Sequence, residues 1–211
     1  MHFVSCFSRA QALILLIAGL TAAAQQPLQL PEPQTTGGKP LMQALAERRT
    51  TRVFRDEGLS PRTLSNLLWA AFGVNRPRDV KLGLGRTAPS AMNKQEVEIY
   101  VVLAKGVYLY DAETNELKPK VDGDVRAKVG SGDAAHAAAT IVYVAPASND
   151  FAQVDVGFIG QNVYLFAASE GLNAWFYALH GQQDAAAVSA ALKLPDGGRP
   201  LYAQSVGYPP E

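Results

Sequence analysis

The sequence has little cysteine and little histidine, and its charges cancel. Cys6 is the single cysteine among 211 residues, and three residues are histidine. One cysteine excludes a disulfide within the chain and a cysteine zinc site, and so few histidines argue against a histidine metal site. The 19 basic residues are matched by 19 acidic ones. This balance argues against a nucleic-acid partner and against a polybasic membrane patch.

The chain also lacks an apolar run long enough to span a membrane. Residues 10–20 are apolar, but they fall well short of the roughly 18 residues that a spanning helix needs. This run follows Arg9 and precedes Ala22 and Ala24, which is typical of a secretory signal peptide at 1–24; a buried helix of the domain is the alternative. We therefore expect a periplasmic or secreted protein, cleaved near Ala24, with no membrane span in its mature form.

The remaining chain predicts one domain of mixed helices and strands. Residues 25–39 are rich in Pro, Gln, Thr and Gly, and predict a flexible lead-in to a domain at 40–211. Local patterns predict helices at 40–49, 60–72, 155–170 and 184–192, a short helix after Asp122, and a loop at 75–85. They predict strands at 97–103, 106–110, 117–121, 140–144, 174–177 and 201–206. This order, with its hairpin, favours the α+β class.

A cationic cluster follows the first predicted helix. Arg48, Arg49 and Arg52 lie within five residues, together with Thr50 and Thr51. Guanidinium groups match the geometry of phosphate oxygens, and the threonine hydroxyls add further donors. The cluster is consistent with a phosphorylated cofactor and equally with a solvated helix end that complements the helix dipole.

A run of small and polar residues precedes the strand at 97–103. Pro89 stiffens this loop, Ser90 and Ala91 are small enough for a flat ring to approach the backbone, and Asn93 offers a donor and an acceptor. By itself the run favours an ordinary loop. In the long predicted helix, Gln161 is polar in an apolar setting, and a buried amide needs a partner.

Taken together, these stretches resemble the nitroreductase family, and within it the branch named after SagB and the thiazoline/oxazoline oxidases. The matching motifs occur in order from about Met42 to Pro209. They are RRTTRVF at 48–54, LLWAAFG at 67–73, RTAPSA at 86–91, QN at 161–162 with EGL at 170–172, and GYP at 207–209. The resemblance implies a three-layer α-β-α sandwich with a central, mostly antiparallel sheet. It also implies FMN as the cofactor and an intertwined homodimer.

The resemblance also implies roles for the cationic cluster. Arg48, Thr50 and Arg52 would hold the phosphate, the ribityl chain and the ring edge of FMN, with Arg49 beside them. Family members commonly place a basic residue after the GYP motif to help hold the phosphate. This chain ends with Pro209, Pro210 and Glu211 instead.

The same resemblance implies the residues that would surround the flavin ring. Pro89, Ser90 and Ala91 would line one face of the ring, with Asn93 near it, and Gln161 belongs to the same implied site. The turn around Ala178 and Leu179 would aim a backbone N–H at flavin N5, where such a donor stabilises charge that develops on reduction.

The resemblance predicts an exported FMN-dependent oxidoreductase that transfers hydride through flavin N5 to or from a small organic substrate. The electron donor is unknown, because an exported enzyme has no cytoplasmic NAD(P)H supply, and no residue stands out as a catalytic acid or base. The alternative is a non-catalytic FMN carrier on the same fold. Azoline oxidation is a third possibility, which export opposes because that chemistry uses cytoplasmic partners.

Overall fold

A seven-stranded antiparallel sheet forms the middle of the fold. The computed structural model describes residues 26–81, 83–146, 151–179 and 185–211. Numbered along the chain, the strands are β1 (Leu28–Gln29), β2 (Val74–Asp79), β3 (Gly83–Arg86), β4 (Glu98–Leu103), β5 (Gly106–Asp111), β6 (Glu116–Asp122), β7 (Ala139–Pro146), β8 (Asn173–Ala178) and β9 (Gly198–Gly207). The sheet order is β1-β6-β5-β4-β7-β9-β8, and β2 and β3 form a separate hairpin. Strand β8 therefore ends the sheet.

Helices cover both faces of this sheet. They are α1 (Leu41–Glu47), α2 (Pro61–Phe72), α3 (Arg126–Val129), α4 (Ala152–Glu170) and α5 (Ala185–Leu192). On one face α2 and α4 bury Leu67 and Val163 in a core with Ile141 of β7. On the other face Val188 of α5 packs in a core with Val142 of β7. Neighbouring residues of one strand thus point into opposite layers, and the predicted three-layer α+β sandwich is confirmed.

Local signals account for the helix ends that the sequence predicted. The Ser60 side chain accepts a hydrogen bond from the Thr63 N–H at 3.1 Å, and Pro61 occupies the first helical position of α2. Helix α4 ends at Gly171, whose φ of +70° lies in the left-handed region that favours glycine. Helix α4 begins three residues before its predicted start at Asp155. The predicted start of α5 at Asp184 lies outside the described residues.

Two segments differ from the sequence-based expectation. Residues 75–85, predicted as a loop, mostly belong to the β2–β3 hairpin, which has two register shifts. Its first strand is almost wholly exposed, so it lacks the alternation that identifies a strand. Within the predicted lead-in, β1 pairs with β6, and Leu30 is buried with 3% exposure. A two-residue strand is too short to show a periodic pattern.

A buried polar contact links the sheet to α4. Tyr143 donates a hydrogen bond to the Gln204 side-chain oxygen at 2.6 Å, and the Gln204 amide donates to the Gly160 carbonyl at 3.2 Å. Tyr143 and Gln204 are fully buried, and burial raises the pKa of Tyr143 well above its ordinary value. Gly160 allows the close approach, because a Cβ there would lie 2.8 Å from the Phe176 ring. No helix within the described ranges is both long and apolar enough to cross a bilayer.

This contact gives the first prediction. We expect Tyr143→Phe to lower the free energy of unfolding by about 1–3 kcal/mol, because it leaves the buried Gln204 oxygen without a donor. Chemical denaturation followed by circular dichroism measures the change. Tyr202→Phe is the matched control, since the Tyr202 hydroxyl makes no hydrogen bond to the described residues while its ring stacks on Phe176. Equal stability of Tyr143→Phe and the wild type would contradict the prediction.

Candidate functional site

The cationic segment after α1 covers the open edge of β8. The Thr51 N–H donates to the Ala174 carbonyl at 2.9 Å, and the Ala174 N–H donates to the Thr51 hydroxyl at 3.1 Å. The Asn173 amide donates to the Val53 carbonyl at 2.7 Å. An edge strand presents unpaired N–H and C=O groups that need partners. The segment supplies those partners, and its own position is fixed in return.

The side chains of this segment divide between two sides. Arg48 places its guanidinium 5.4 Å from the centre of the Tyr164 ring, and the Thr50 hydroxyl lies 2.9 Å from the Tyr164 hydroxyl. Arg52 lies over the Trp175 ring, also at 5.4 Å. Arg49 lines a pocket of about 220 Å³ that Tyr164 and Thr51 also line. The structure therefore brings Arg48 and Thr50 together at Tyr164, with Arg49 in a pocket that shares Tyr164. Arg52 lies with Trp175 and Tyr177, which strand alternation turns to the other face of the sheet.

The three predicted arginines also differ in charge pairing from other arginines of the chain. Arg55, Arg78 and Arg126 form salt bridges with carboxylates. Within the described residues, none is formed by Arg48, Arg49 or Arg52. Adjacent cations that lack carboxylate partners repel one another, and an anion bound between them would relieve this repulsion.

The pocket beside Arg49 already contains an ion pair. Lys39 contacts Glu47 at 2.6 Å and also donates to the Ala168 carbonyl at 3.0 Å. The hydrogen bond from Lys39 lowers the pKa of the Glu47 carboxyl. The Lys39–Glu47 pair leaves Arg49 as a cation of this pocket that forms no salt bridge with the described residues.

The loop that contains Pro89 is fixed to the first turns of α4. The Ala91 N–H donates to the buried Asp155 carboxylate at 3.0 Å, and the Ser90 hydroxyl accepts from the Gln95 N–H at 3.0 Å. Pro89 and Asn93 are exposed, while Ser90 and Ala91 are partly exposed. The predicted ring-facing residues therefore form one accessible loop.

This loop contains three residues in an unfavourable backbone conformation. Met92, Asn93 and Gln95 have φ values of 53°, 52° and 55°. Left-handed backbone costs a non-glycine residue roughly 1–2 kcal/mol, and somewhat less for asparagine. The Gln95 side chain opposes this cost, because it accepts from Arg86 at 2.8 Å and donates to the Leu84 carbonyl and to Asn93. Strained residues of this kind concentrate at functional sites.

Gln161 lies on an exposed stripe of α4 and contradicts the expectation of a buried amide. Val154 and Phe158 belong to the same stripe and are 56% and 46% exposed, since positions i, i+4 and i+7 share one side of a helix. The neighbouring Asn162 is partly buried and donates to the Thr87 carbonyl at 3.3 Å. The error arose because α4 is apolar on nearly every side, so its sequence does not show which side is outside.

The two backbone positions predicted after β8 are not equivalent. The Leu179 N–H donates to the Leu201 carbonyl of β9 at 3.4 Å, and its side chain is buried in the core on the α5 side. Backbone N–H groups alternate in direction along an antiparallel strand. The Ala178 N–H therefore points away from β9, to the open edge of β8 that the N–H groups of Ala174 and Phe176 also face. Of the two predicted donors, the Ala178 N–H is the one that faces outward.

The arginine segment and the Pro89 loop contact α4 at different places. The segment contacts Tyr164, and the loop contacts Asp155. These nine residues correspond to about 13 Å along the helix and about 2.5 turns, which puts the two contacts on opposite sides of α4. One chain therefore holds the two groups apart.

Sequence reasoning missed three residues that organise the site. Tyr164 contacts the arginine segment, Trp175 lies under Arg52, and Asp155 anchors the loop. All three lie in elements that the sequence predicts as core. An aromatic residue is expected to pack there, so Tyr164 and Trp175 do not stand out. Asp155 was the one available signal, because a carboxylate in a largely apolar helix needs a donor if it is buried, and the structure leaves it only 2% exposed.

Comparison with known proteins identifies the family. The model of the Nitroreductase family matches residues 45–208. A candidate nitroreductase of Methanocaldococcus jannaschii is 31% identical over 153 residues, which cover 63% of this chain and 75% of that protein. The crystal structure of a candidate nitroreductase from Ralstonia eutropha JMP134 is 32% identical, has a TM-score of 0.79, and covers 90% of this chain and 92% of its own.

A more distant likeness concerns the fold alone. The E. coli microcin synthetase McbBCD complex with bound truncated pro-MccB17 is 19% identical, with a TM-score of 0.66 over 97% of this chain and 85% of that chain. The family resemblance read from the sequence motifs is confirmed by the family match and by the two more similar relatives. The chain therefore belongs to the nitroreductase family, whose members are typically FMN-dependent oxidoreductases.

Proposed function

We propose that this protein is an exported, homodimeric FMN-dependent oxidoreductase that acts on a small organic substrate. The observation that carries the proposal is the meeting of Arg48 and Thr50 at Tyr164, with Arg52 over Trp175 at the same sheet edge. These side chains present cationic and hydroxyl donors without carboxylate partners among the described residues. This donor set fits the phosphate and the polar ring edge of FMN. When bound, FMN supplies hydride transfer at its N5 atom.

In this proposal the chain binds and orients the cofactor. Arg48 and Thr50 hold the phosphate. Arg52 is assigned to the ring edge, because its guanidinium lies over Trp175 of β8 and away from the Arg48 contact with Tyr164. The outward N–H of Ala178 follows on the same strand edge and is the donor available to N5. A fixed backbone donor needs no reorganisation during the reaction, so it stabilises negative charge efficiently.

Arg55 places a further guanidinium beside the GYP motif. Arg55 places its guanidinium 5.5 Å from the centre of the Tyr208 ring, and its backbone N–H donates to the Tyr208 carbonyl. Its Nε is buried and makes no hydrogen bond to the described residues. Glu57 and Glu211 partly neutralise Arg55. Arg48 therefore remains the stronger candidate for the phosphate.

The homodimer is supported by an exposed apolar surface, which we call the α1–α4 surface. Its members are apolar side chains at least 43% exposed on α1 and on or just before α4: Leu41, Met42, Leu45, Phe151, Val154 and Phe158. Exposed apolar side chains on two helices that pack together are typical of protein interfaces. A two-fold pairing through this surface would bring the arginine segment of one protomer towards the Pro89 loop of its partner. A dimer would thereby bring together the arginine segment and the Pro89 loop, which lie apart within one chain.

Export and assignment to the SagB-like branch are further parts of the proposal. Export is supported by the signal-peptide pattern at 1–24, and N-terminal sequencing of the mature protein tests it. The branch is supported by the RTAPSA and EGL motifs, whereas azoline oxidation would need a cytoplasmic partner. Stopped-flow reduction with NAD(P)H and with a quinol identifies the donor class. Failure of both donors, with FMN bound, would favour the carrier over the enzyme.

The cofactor site gives the second prediction. We expect the purified protein to bind FMN, and Arg48→Gln to weaken FMN binding by roughly 10- to 100-fold, because a charge-assisted contact to phosphate is lost. Flavin fluorescence titration measures the dissociation constant. Arg78→Gln is the control, since Arg78 is an exposed arginine that pairs with Glu113. A wild-type protein that takes up no FMN would refute the proposed function.

The α1–α4 surface gives the third prediction. We expect Phe158→Asp to convert the dimer to a monomer, because it would bury a charge in an apolar interface. Light scattering coupled to size-exclusion chromatography measures the mass. The monomeric variant should also bind FMN more weakly than the dimer does. Val80→Asp is the control: Val80 is fully exposed at the end of the β2–β3 hairpin. Dimers of unchanged stability in Phe158→Asp would show that the interface lies elsewhere.

A further inference from the structure

Tyr164 connects three parts of the candidate site through one side chain. Its hydroxyl accepts a hydrogen bond from the Phe176 N–H at 2.8 Å and lies 2.9 Å from the Thr50 hydroxyl. Its ring lies under the Arg48 guanidinium. Helix α4, the edge of β8 and the arginine segment therefore meet at this residue.

The direction of the Tyr164–Thr50 hydrogen bond follows from what each hydroxyl can do. A hydroxyl donates one hydrogen bond. The Phe176 N–H can only donate, so it already uses the Tyr164 oxygen as an acceptor. The Tyr164 O–H then donates its hydrogen bond to the Thr50 oxygen. In the opposite direction, the Tyr164 oxygen would accept two hydrogen bonds and its own proton would lack a partner among the described residues.

This direction leaves the Thr50 proton free. Thr50 is exposed, and its oxygen is occupied by the Tyr164 proton, so its own O–H points away from Tyr164. The Tyr164 ring meanwhile holds the Arg48 guanidinium by a cation–π contact. One aromatic side chain thus orients a neutral donor and a cationic donor beside each other.

We propose that Tyr164 is the positioning residue of the phosphate subsite, and that it makes Thr50 a hydrogen-bond donor to the FMN phosphate. This inference rests on the proposed function. It assigns to Tyr164 a preference for the phosphorylated flavin over riboflavin, which has the same ring and ribityl chain but no phosphate. In this proposal Tyr164 acts through Thr50 and Arg48, the two residues of the segment that it contacts.

The test compares FMN and riboflavin binding to the flavin-free full-length protein. We expect Tyr164→Phe to raise the dissociation constant of FMN about tenfold, as expected for a misaligned charge-assisted hydrogen bond. Riboflavin binding should change less than about twofold, since the ring of residue 164 is retained. Fluorescence titration gives both constants. Tyr202→Phe, which alters a hydroxyl that bonds no described residue, should change neither.

Thr50→Val keeps the test decisive if Tyr164→Phe is unstable. It leaves the bond between the Phe176 N–H and Tyr164 intact and removes only the Thr50 hydroxyl, so it should show the same selective loss of FMN affinity. The double variant should be no worse than Thr50→Val alone, because both changes remove one donor and their effects are not additive.

Several outcomes would overturn the inference, and they distinguish its failure from failure of the proposed function. If wild-type protein binds FMN but Tyr164→Phe weakens FMN and riboflavin equally, or neither, then Tyr164 has no role specific to phosphate. Fully additive losses in the double variant would lead to the same conclusion. If wild-type protein binds neither flavin, the proposed function is wrong, and the assignment of Tyr164 is wrong with it.

Discussion

The open edge of β8 is the constraint on which the candidate site depends. A sheet that ends in an uncovered strand exposes backbone donors and invites pairing with other chains. Here the donors of Ala174 and Phe176 are met by the hydroxyls of Thr51 and Tyr164. The segment that covers this edge also carries Arg48, Arg49 and Arg52, which form no salt bridge with the described residues. The interactions that complete the fold therefore also place the cationic donors.

Helix α4 transmits this constraint to the rest of the molecule. Its buried side packs on the sheet through residues such as Val163, and Gly160 lets the helix approach Phe176 closely. Its first turns hold the Pro89 loop, and Tyr164 near its other end holds the arginine segment. Because the helix is rigid, the separation between the two groups is fixed. In the proposed homodimer, a ligand that needs both groups would find the second one in the other copy of the chain.

Local signals made much of the fold predictable. Ser60 with Pro61, Gly171, and the β-branched strand at 97–103 each specify an element within a few residues, and all three elements were found. Strand β1 and the β2–β3 hairpin were missed because their pairing comes from distant or irregular partners. The arginine cluster was visible because it is contiguous in sequence. The contacts of Tyr164 were not visible, because they depend on which side of a helix with apolar residues on nearly every side meets the sheet edge.

The backbone donors show most clearly why register limits inference from sequence. Ala178 and Leu179 are adjacent, and no property of their side chains distinguishes which N–H faces outward. The pairing of β8 with β9 decides it: Leu179 is bonded to Leu201, so the N–H of Ala178 is directed to the edge. A shift of one residue would exchange the two roles. The chemistry at this edge is thus determined by the register of the sheet, and a substitution that moved β8 against β9 would redirect the donor without changing either residue.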